Sequence, residues 1–269
     1  MNAGRLWRWL AYTVCGLVAI YLIAPMLIVV IISFSSSALL TFPPPGFSWR
    51  WYQNLVTTPA WRESFTVSLE VMTLTALLAT TLGTMAAVGL AGRRTRWLAG
   101  LRTLLMAPLV VPQIVSAAGI FLLLDACGWV GTIRALVTAH TVLAIPYVVA
   151  TVGAALETTD PGLVPAALTL GATPSVAFRR ITLPLIRPGI LSGLLFAAVL
   201  SFDELIVSLF LSTPRTRTVT VQMWSNVFGD IDPAITAIAS LILLVSMLLL
   251  GAYSLIGRRR GAGSVVMPL

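Results

Sequence analysis

The chain carries six apolar stretches, each long enough to cross a lipid bilayer as a helix. A membrane-spanning helix needs about 20 consecutive, mostly apolar residues. The qualifying stretches are residues 10–33, 65–91, 101–124, 133–156, 189–211 and 233–256. Because the bilayer interior offers no water to backbone polar groups, a chain with this pattern folds as helices. The sequence therefore predicts an all-α, polytopic membrane protein, with one transmembrane domain over residues 1–269.

The composition excludes most soluble enzymes and most cofactor sites. Only 10% of the residues are charged and 58% are hydrophobic, whereas a soluble domain carries about 25% charged residues. All 17 basic residues are arginine, so the chain lacks the lysine of a nucleotide-binding P-loop. A single histidine, His140, and two cysteines without metal-site spacing provide no metal motif. We therefore expect no metal, no cofactor and no nucleotide hydrolysis in this chain.

The arginines predict the orientation of the spans. With the N-terminus in the cytoplasm, twelve of the 17 fall on the cytoplasmic side, as the positive-inside rule requires. These are Arg5, Arg8, Arg93, Arg94, Arg96, Arg102, Arg179, Arg180, Arg187, Arg258, Arg259 and Arg260. We predict six spans with both termini cytoplasmic. The isoelectric point near 10.7 then reflects membrane topology rather than nucleic-acid binding.

The longest predicted cytoplasmic loop, residues 157–188, has the pattern of two short helices. Pro165 is tolerated in the first turn of a helix, and Gly171 stands where a helix would end in a left-handed cap. A second, amphipathic piece follows and is predicted to break at Leu183-Pro184. Such a module suits docking into a groove on a soluble partner. By pattern alone, it equally suits a connector that lies at the membrane interface.

Two adjacent carboxylates, Asp203 and Glu204, lie inside the fifth apolar stretch. At 1.5 Å per residue from Gly189, they stand roughly 20 Å above the cytoplasmic end. A charge at such depth costs at least about 2.5–3.5 kcal/mol, so it faces the bundle interior or a wet cavity. With no arginine or lysine nearby, the pair predicts a pathway site for a cationic solute. The alternative is that the carboxylates are protonated or anchored by Ser201 or Ser208.

Other polar or aromatic residues near the membrane also carry predictions. Glu70 lies near the external end of the second stretch, where it either lines the pathway or snorkels to water. His140 is predicted to form a hydrogen bond between helices. Trp224 lies in residues 218–229, a predicted external gate helix. Three prolines are predicted to interrupt the third and fourth spans: Pro108, Pro112 and Pro146.

The cytoplasmic loop resembles the EAA loop of ABC importer permeases, the segment that contacts the ATPase subunit. The residues that carry the resemblance are Ala166-Ala167, Gly171, Ile181 and Leu183-Pro184. Further segments resemble the polyamine branch of that family, the PotC-like spermidine/putrescine permeases: residues 42–52, 107–115, 140–147, 201–208 and 221–228. The sequence departs from the family at Val164-Pro165, where glutamate is usual. A glutamate there would suit the helix dipole and pair with an ATPase arginine.

The resemblance implies a type I (MetI-like) ABC importer permease in the bacterial inner membrane. The chain would be a non-catalytic subunit that forms half of the path for a small cationic solute, spermidine or putrescine. Its implied partners are a second, PotB-like permease, a cytoplasmic ATPase dimer that binds ATP and Mg, a periplasmic solute-binding protein and membrane lipid. The residues assigned to coupling are Pro165, Ala166, Ala167 and Gly171, supported by Arg179, Arg180, Leu183 and Pro184.

Three alternatives remain open. The first is an ABC permease for another small solute, such as an amino acid or ferric iron. The second is an intramembrane enzyme with His140 as the base for a serine, although the sequence has no G-x-S-x-G elbow. The third is a stand-alone secondary transporter, although the two halves show no evident inverted repeat.

Overall fold

The structure is a computed structural model that describes residues 3–92, 95–228 and 233–261. Within these ranges the chain is built from helices, and the predicted all-α class is confirmed. The helices are α1 (Ala3–Ser33), α2 (Arg50–Thr57), α3 (Pro59–Leu90), α4 (Arg96–Met106), α5 (Gln113–Ala126), α6 (Ile133–Glu157), α7 (Leu163–Thr169), α8 (Pro174–Ala177), α9 (Leu183–Asp203), α10 (Ile206–Leu211), α11 (Val219–Phe228) and α12 (Ala234–Gly261). A 3-10 turn (Ala107–Leu109) follows α4, and a π-helical turn (Phe178–Thr182) joins α8 to α9.

The chain divides into two compact units. The first comprises Met1–Arg62 and Gln222–Val245, and the second comprises Glu63–Val221 and Ser246–Leu269. In the first unit, the indole N–H of Trp51 donates to the backbone oxygen of Ser35 at 2.8 Å, which ties α2 to the segment after α1. The second unit contains α4 to α10 and two hydrophobic clusters.

Four helices in the described ranges are long and apolar enough to cross a membrane: Trp7–Ser33, Pro59–Leu90, Ile133–Glu157 and Pro174–Asp203. A fifth candidate is the pair Arg96–Leu109 and Gln113–Ala126, which is bent by 107°. A shorter apolar helix, Ala234–Leu248, lies in the last predicted span. Each predicted span thus coincides with a helix or a helix pair. The count of six and the cytoplasmic termini stay predictions; Arg93 and Arg94 lie outside the described residues.

Two of the three predicted proline interruptions are confirmed. Pro108 lies in the 3-10 turn, and Pro112 precedes α5 at the bend between α4 and α5. The prediction for Pro146 was wrong, because α6 runs without interruption from Ile133 to Glu157 with this proline inside it. A helix that packs against neighbouring helices tolerates the missing N–H of one proline.

The helix predicted as the fifth span begins earlier in the chain than predicted and also ends earlier. It begins at Pro174 and runs for 30 residues to Asp203. The helix then stops, and a separate short helix, α10, begins at Ile206. The two residues between them, Glu204 and Leu205, form the helix break to which the functional site belongs.

Helices α6 and α9 pack closely because two glycines face α6. Gly189 and Gly193 have the spacing that lets helices approach in membranes. A Cβ on Gly189 would lie 2.7 Å from the backbone oxygen of Thr151, and one on Gly193 would lie 2.9 Å from Thr151 Oγ1. The cluster around this contact includes Val148, Val152, Ile186 and Ala197, each fully buried.

Gly189→Ala is expected to destabilise the protein, because the added methyl group meets backbone rather than a movable side chain. Forcing an extra methyl group into a packed core costs about 1–3 kcal/mol. Thermal unfolding of the purified protein in detergent should therefore begin at a lower temperature. Gly153→Ala on α6 is the matched control, since a Cβ there meets nothing within 4 Å. Equal unfolding temperatures for the two variants would contradict this packing.

Candidate functional site: a carboxylate cavity and a helical loop

An open cavity of about 650 Å³ lies beside the break between α9 and α10. The turn between α4 and α5, one face of α6 and the end of α9 form its walls. Its lining residues are Pro108, Leu109, Val111, Gln113, Leu143, Tyr147, Val199, Leu200, Asp203, Glu204, Leu205 and Ile206. Both carboxylates that the sequence predicted for the pathway therefore line one cavity.

Glu204 is held by the protein itself. Its Oε1 accepts a hydrogen bond from the backbone N–H of Val207 at 2.9 Å, which satisfies a donor in the first turn of α10. The side-chain amide of Gln113 donates to its Oε2, and Thr220 Oγ1 donates to its backbone oxygen at 3.0 Å. With these bonds, Glu204 is only 5% exposed. Its carboxylate therefore stabilises the break.

Asp203 differs from its neighbour in each of these respects. It is the last residue of α9 and is exposed in the cavity. Among the residues that the structure describes, no hydrogen bond or ion pair engages its carboxylate. A carboxylate without a protein partner at such a position favours a cation. The structure thus separates a pair that the sequence treats alike into a structural carboxylate and an available one.

His140 lies next to this site and is fully buried. Its Nδ1 lies 2.9 Å from Ser201 Oγ on α9, and its Nε2 lies 3.0 Å from Ser208 Oγ on α10. The predicted hydrogen bonding between helices is confirmed. The two serine hydroxyls therefore bond the imidazole instead of anchoring the carboxylates, which was the alternative that the sequence left open. The anchor of Glu204 is Gln113, a residue that sequence reasoning missed; its signal was a polar side chain directly after Pro112.

Two further predicted pathway residues are not among those that line this cavity. Glu70 is exposed on α3 and is not among the residues that line it. Trp224 lies on α11 in the first compact unit, and the described part of the segment does form the predicted helix. Their roles in a pathway stay predictions.

The loop predicted to be cytoplasmic, residues 157–188, is called the cytoplasmic module below. Its first helix is α7, which contains Pro165 in its first turn. Gly171 has a φ of +89°, the left-handed conformation that the sequence predicted. The N–H of Ala172 donates to the oxygen of Ala167 at 3.0 Å, and that of Gly171 donates to Leu168 at 3.0 Å. This is the two-bond Schellman pattern, which ends a helix at a left-handed glycine. A residue with a Cβ rarely adopts that conformation.

The surface of α7 is apolar and exposed. Leu163, Val164 and Leu168 are each more than one third exposed, and Leu170, which follows the helix, is 88% exposed. Pro165 and Ala166 are also exposed, whereas Ala167 is half-buried. Exposed apolar side chains on a short, well-capped helix are typical of a surface that a partner covers.

The predicted break at Leu183-Pro184 was wrong. The chain continues as a helix from Pro174 through the π-helical turn into α9. Pro184 lies in the first turn of α9, where a missing N–H is tolerated, and the wider π-helical turn precedes it. Arg179 and Arg180 lie exposed in that turn, and Leu183 is half-buried. The second half of the module is therefore one helix with the fifth span.

Comparisons with known proteins agree with these features. Residues 79–261 match the family model described as the binding-protein-dependent transport system inner membrane component. The chain is 37% identical to the putrescine transport system permease protein PotI of Escherichia coli K12, over 88% of this chain and 84% of PotI. It is 29% identical to the spermidine/putrescine transport system permease protein PotC of the same strain, over 91% of this chain and 92% of PotC.

A solved structure shares the fold. One chain of a bacterial alginate ABC transporter, crystallised in complex with an alginate pentasaccharide-bound periplasmic protein, superimposes with a TM-score of 0.72. The alignment covers 95% of this chain and 96% of that chain at 15% identity. This similarity shows the fold. The family model over residues 79–261 and the 37% identity to PotI show that the chain belongs to the family of binding-protein-dependent transport system inner membrane components.

Proposed function

We propose that this chain is a permease subunit of an ATP-driven importer of polyamines and forms half of the translocation path. The observation that carries the proposal is Asp203, a carboxylate that lines an open cavity and has no hydrogen-bond or ion-pair partner among the described residues. A transient ammonium group would supply the missing partner. The names of the relatives, permeases of putrescine and of spermidine/putrescine transport systems, support the same solute class.

The cavity has the volume and the lining residues that a short polyamine needs. Its volume of about 650 Å³ lies within the usual range of roughly 300–1,000 Å³ for small-molecule sites. Leu143, Val199 and Leu200 provide apolar contacts for the methylene chain, while Asp203 takes an ammonium group. The ring of Tyr147 adds a face to which a cation is attracted.

The cytoplasmic module is the proposed contact with the motor subunit. The exposed apolar face of α7 would enter a groove on an ATPase, with Pro165, Ala166, Ala167 and Gly171 fixing its shape. Arg179, Arg180, Leu183 and Pro184 would support it from the π-helical turn and the start of α9. Because this part is continuous with the fifth span, a shift of the module moves the end of α9 as a rigid body.

One helix connects the second half of the module to the carboxylate. From Pro174 to Asp203 it has 30 residues, which correspond to a rod of about 45 Å at 1.5 Å per residue. A displacement at Pro174 thus reaches the carboxylate through one helix, while α7 joins this helix through the turn at residues 170–173. We propose that this rod links the ATP-driven closure of the ATPase dimer to the release of the cation.

The proposal includes partners and a location. A second, PotB-like permease would complete the path, and a cytoplasmic ATPase dimer would bind ATP and Mg, since this chain has no lysine for a P-loop. A periplasmic solute-binding protein would deliver the solute in the bacterial inner membrane. Glu70 and Trp224 would act as outer contacts on the path. With Val164-Pro165 in place of glutamate, the first turn of α7 would make an apolar contact with the ATPase.

Uptake by the assembled transporter tests the proposed solute. Proteoliposomes that contain both permeases and the ATPase should accumulate labelled putrescine when the receptor and ATP are supplied. Unlabelled spermidine should compete, whereas neutral amino acids and ferric ion should not. Accumulation of a neutral or anionic solute, with no competition by polyamines, would overturn the proposed substrate class and favour the alternative of another small solute.

A further inference from the structure

The break between α9 and α10 is bridged by one buried side chain that transport chemistry does not use directly. His140 on α6 bonds Ser201 three residues before the break and Ser208 three residues after it. The ring and the Ser208 side chain are fully buried, and Ser201 is 5% exposed. Both ring nitrogens are thus satisfied, each by a different helix. These two hydrogen bonds account for both polar atoms of the imidazole.

The geometry of these two bonds favours the broken helix over a continuous one. Ser201 and Ser208 are seven residues apart, and an unbroken helix would separate them by a rise of about 10.5 Å on the same face. A single imidazole ring bonds both hydroxyls, at 2.9 and 3.0 Å. The distance between the two hydroxyl oxygens is therefore shorter than that rise. The contact therefore forms when α10 is displaced from the axis of α9.

We propose that His140 is a positioning residue that holds the helix break and thereby keeps Asp203 directed into the cavity. The inference deepens, and rests on, the proposed role of Asp203 as the contact for the cation. His140 bonds the residues on either side of the break from α6. Glu204 and Gln113 form their hydrogen bonds on the side of the break that lines the cavity. The two sets of bonds fix Asp203 between them. Because neutral and protonated imidazole can each bond two hydroxyls, the bridge depends on ring shape and hydrogen bonding.

The test compares His140→Ala with variants matched in burial. Without the ring, two buried hydroxyls lose their partner, and α10 is free to realign with α9. Backbone hydrogen exchange in residues 200–211 of the assembled transporter should accelerate about tenfold. Uptake should fall by a similar factor, whereas basal ATPase activity should stay at the wild-type level because the cytoplasmic module is untouched. The amount of ATP consumed per solute imported therefore rises.

Rescue and control variants distinguish positioning from general destabilisation. His140→Gln keeps two polar atoms at a similar separation and should restore uptake in part. Thr141→Val is the control, since Thr141 is the adjacent residue, is 6% exposed and has a hydroxyl with no partner in the described structure. It should leave exchange and uptake unchanged. Ser201→Ala and Ser208→Ala each remove one bond while keeping the ring, so they report on the bridge if His140→Ala fails to assemble.

The outcomes separate this inference from the proposed function. If exchange in residues 200–211 is unchanged in His140→Ala and in both serine variants, the bridge does not hold the break and the inference is wrong. A proportional loss of uptake and ATPase activity without rescue by glutamine would also overturn it. If exchange accelerates as expected but Asp203→Asn imports putrescine normally, the bridge stands and the proposed function of Asp203 fails.

Discussion

Asp203→Asn is expected to lower ATP-driven uptake of putrescine by about 10- to 100-fold. The substitution keeps the size of the side chain and removes its charge, so it removes a charge-assisted hydrogen bond worth about 1.5–3 kcal/mol. Glu204 cannot compensate, because its two carboxylate oxygens are engaged by Val207 and Gln113. The initial rate of labelled putrescine uptake into proteoliposomes measures the effect.

Two matched variants make this result specific. Asp125→Asn neutralises an exposed carboxylate at the end of α5, outside the cavity lining, and should leave uptake unchanged. Glu204→Gln should instead destabilise the assembled protein, since it alters the cap of α10. The single substitutions thereby separate two roles that a double substitution would merge. Normal uptake by Asp203→Asn would indicate a neutral or anionic solute and a structural role for both carboxylates.

Gly171→Val is expected to reduce uptake and solute-stimulated ATPase activity by at least about tenfold. A side chain with a Cβ costs about 1–2 kcal/mol in the left-handed conformation that Gly171 adopts, and β-branching adds to that cost. Steric crowding does not cause the effect, because a Cβ there would meet nothing within 4 Å. The loss comes from the Schellman bonds at Ala172 and Gly171, which set the direction in which α7 ends.

The level of Gly171→Val in the membrane should equal that of the wild type, since the glycine lies outside the packed helices. Gly171→Asn should retain more activity, because asparagine adopts the left-handed conformation more readily. Gly153→Ala on α6, where a Cβ meets nothing within 4 Å, is the control and should transport normally. Wild-type uptake and solute-stimulated ATPase activity in Gly171→Val would show that the shape of α7 does not matter to the ATPase.

Much of the fold follows from hydrophobic length alone. Apolar stretches of sufficient length predicted every long helix, because the bilayer gives a spanning segment one way to satisfy its backbone. The left-handed conformation of Gly171 was also predictable, since a glycine directly after a short helical pattern commonly ends the helix in that conformation. The Gly189–Gly193 spacing was present in the sequence as well, and it marks a close contact between α6 and α9.

Other features depended on contacts that no local pattern contains. Pro146 and Pro184 look alike in sequence, as helix breakers, yet neighbouring helices or a first-turn position allow both to remain helical. Asp203 and Glu204 are adjacent and chemically similar. They differ because Gln113, 91 residues away in the chain, reaches only Glu204. The pairing of His140 with serines 61 and 68 residues away is of the same kind.

We expect that this bundle does not transport on its own and is driven through its cytoplasmic module by a separate ATPase. The most direct measurement is putrescine uptake by proteoliposomes that contain the two permeases and receptor, with ATP inside, in the presence and absence of the ATPase subunit. We predict uptake only when the ATPase is present, and its loss when the permease carries Gly171→Val. Equal accumulation without the ATPase, or cross-linking of α7 to the receptor on the outside, would contradict the account.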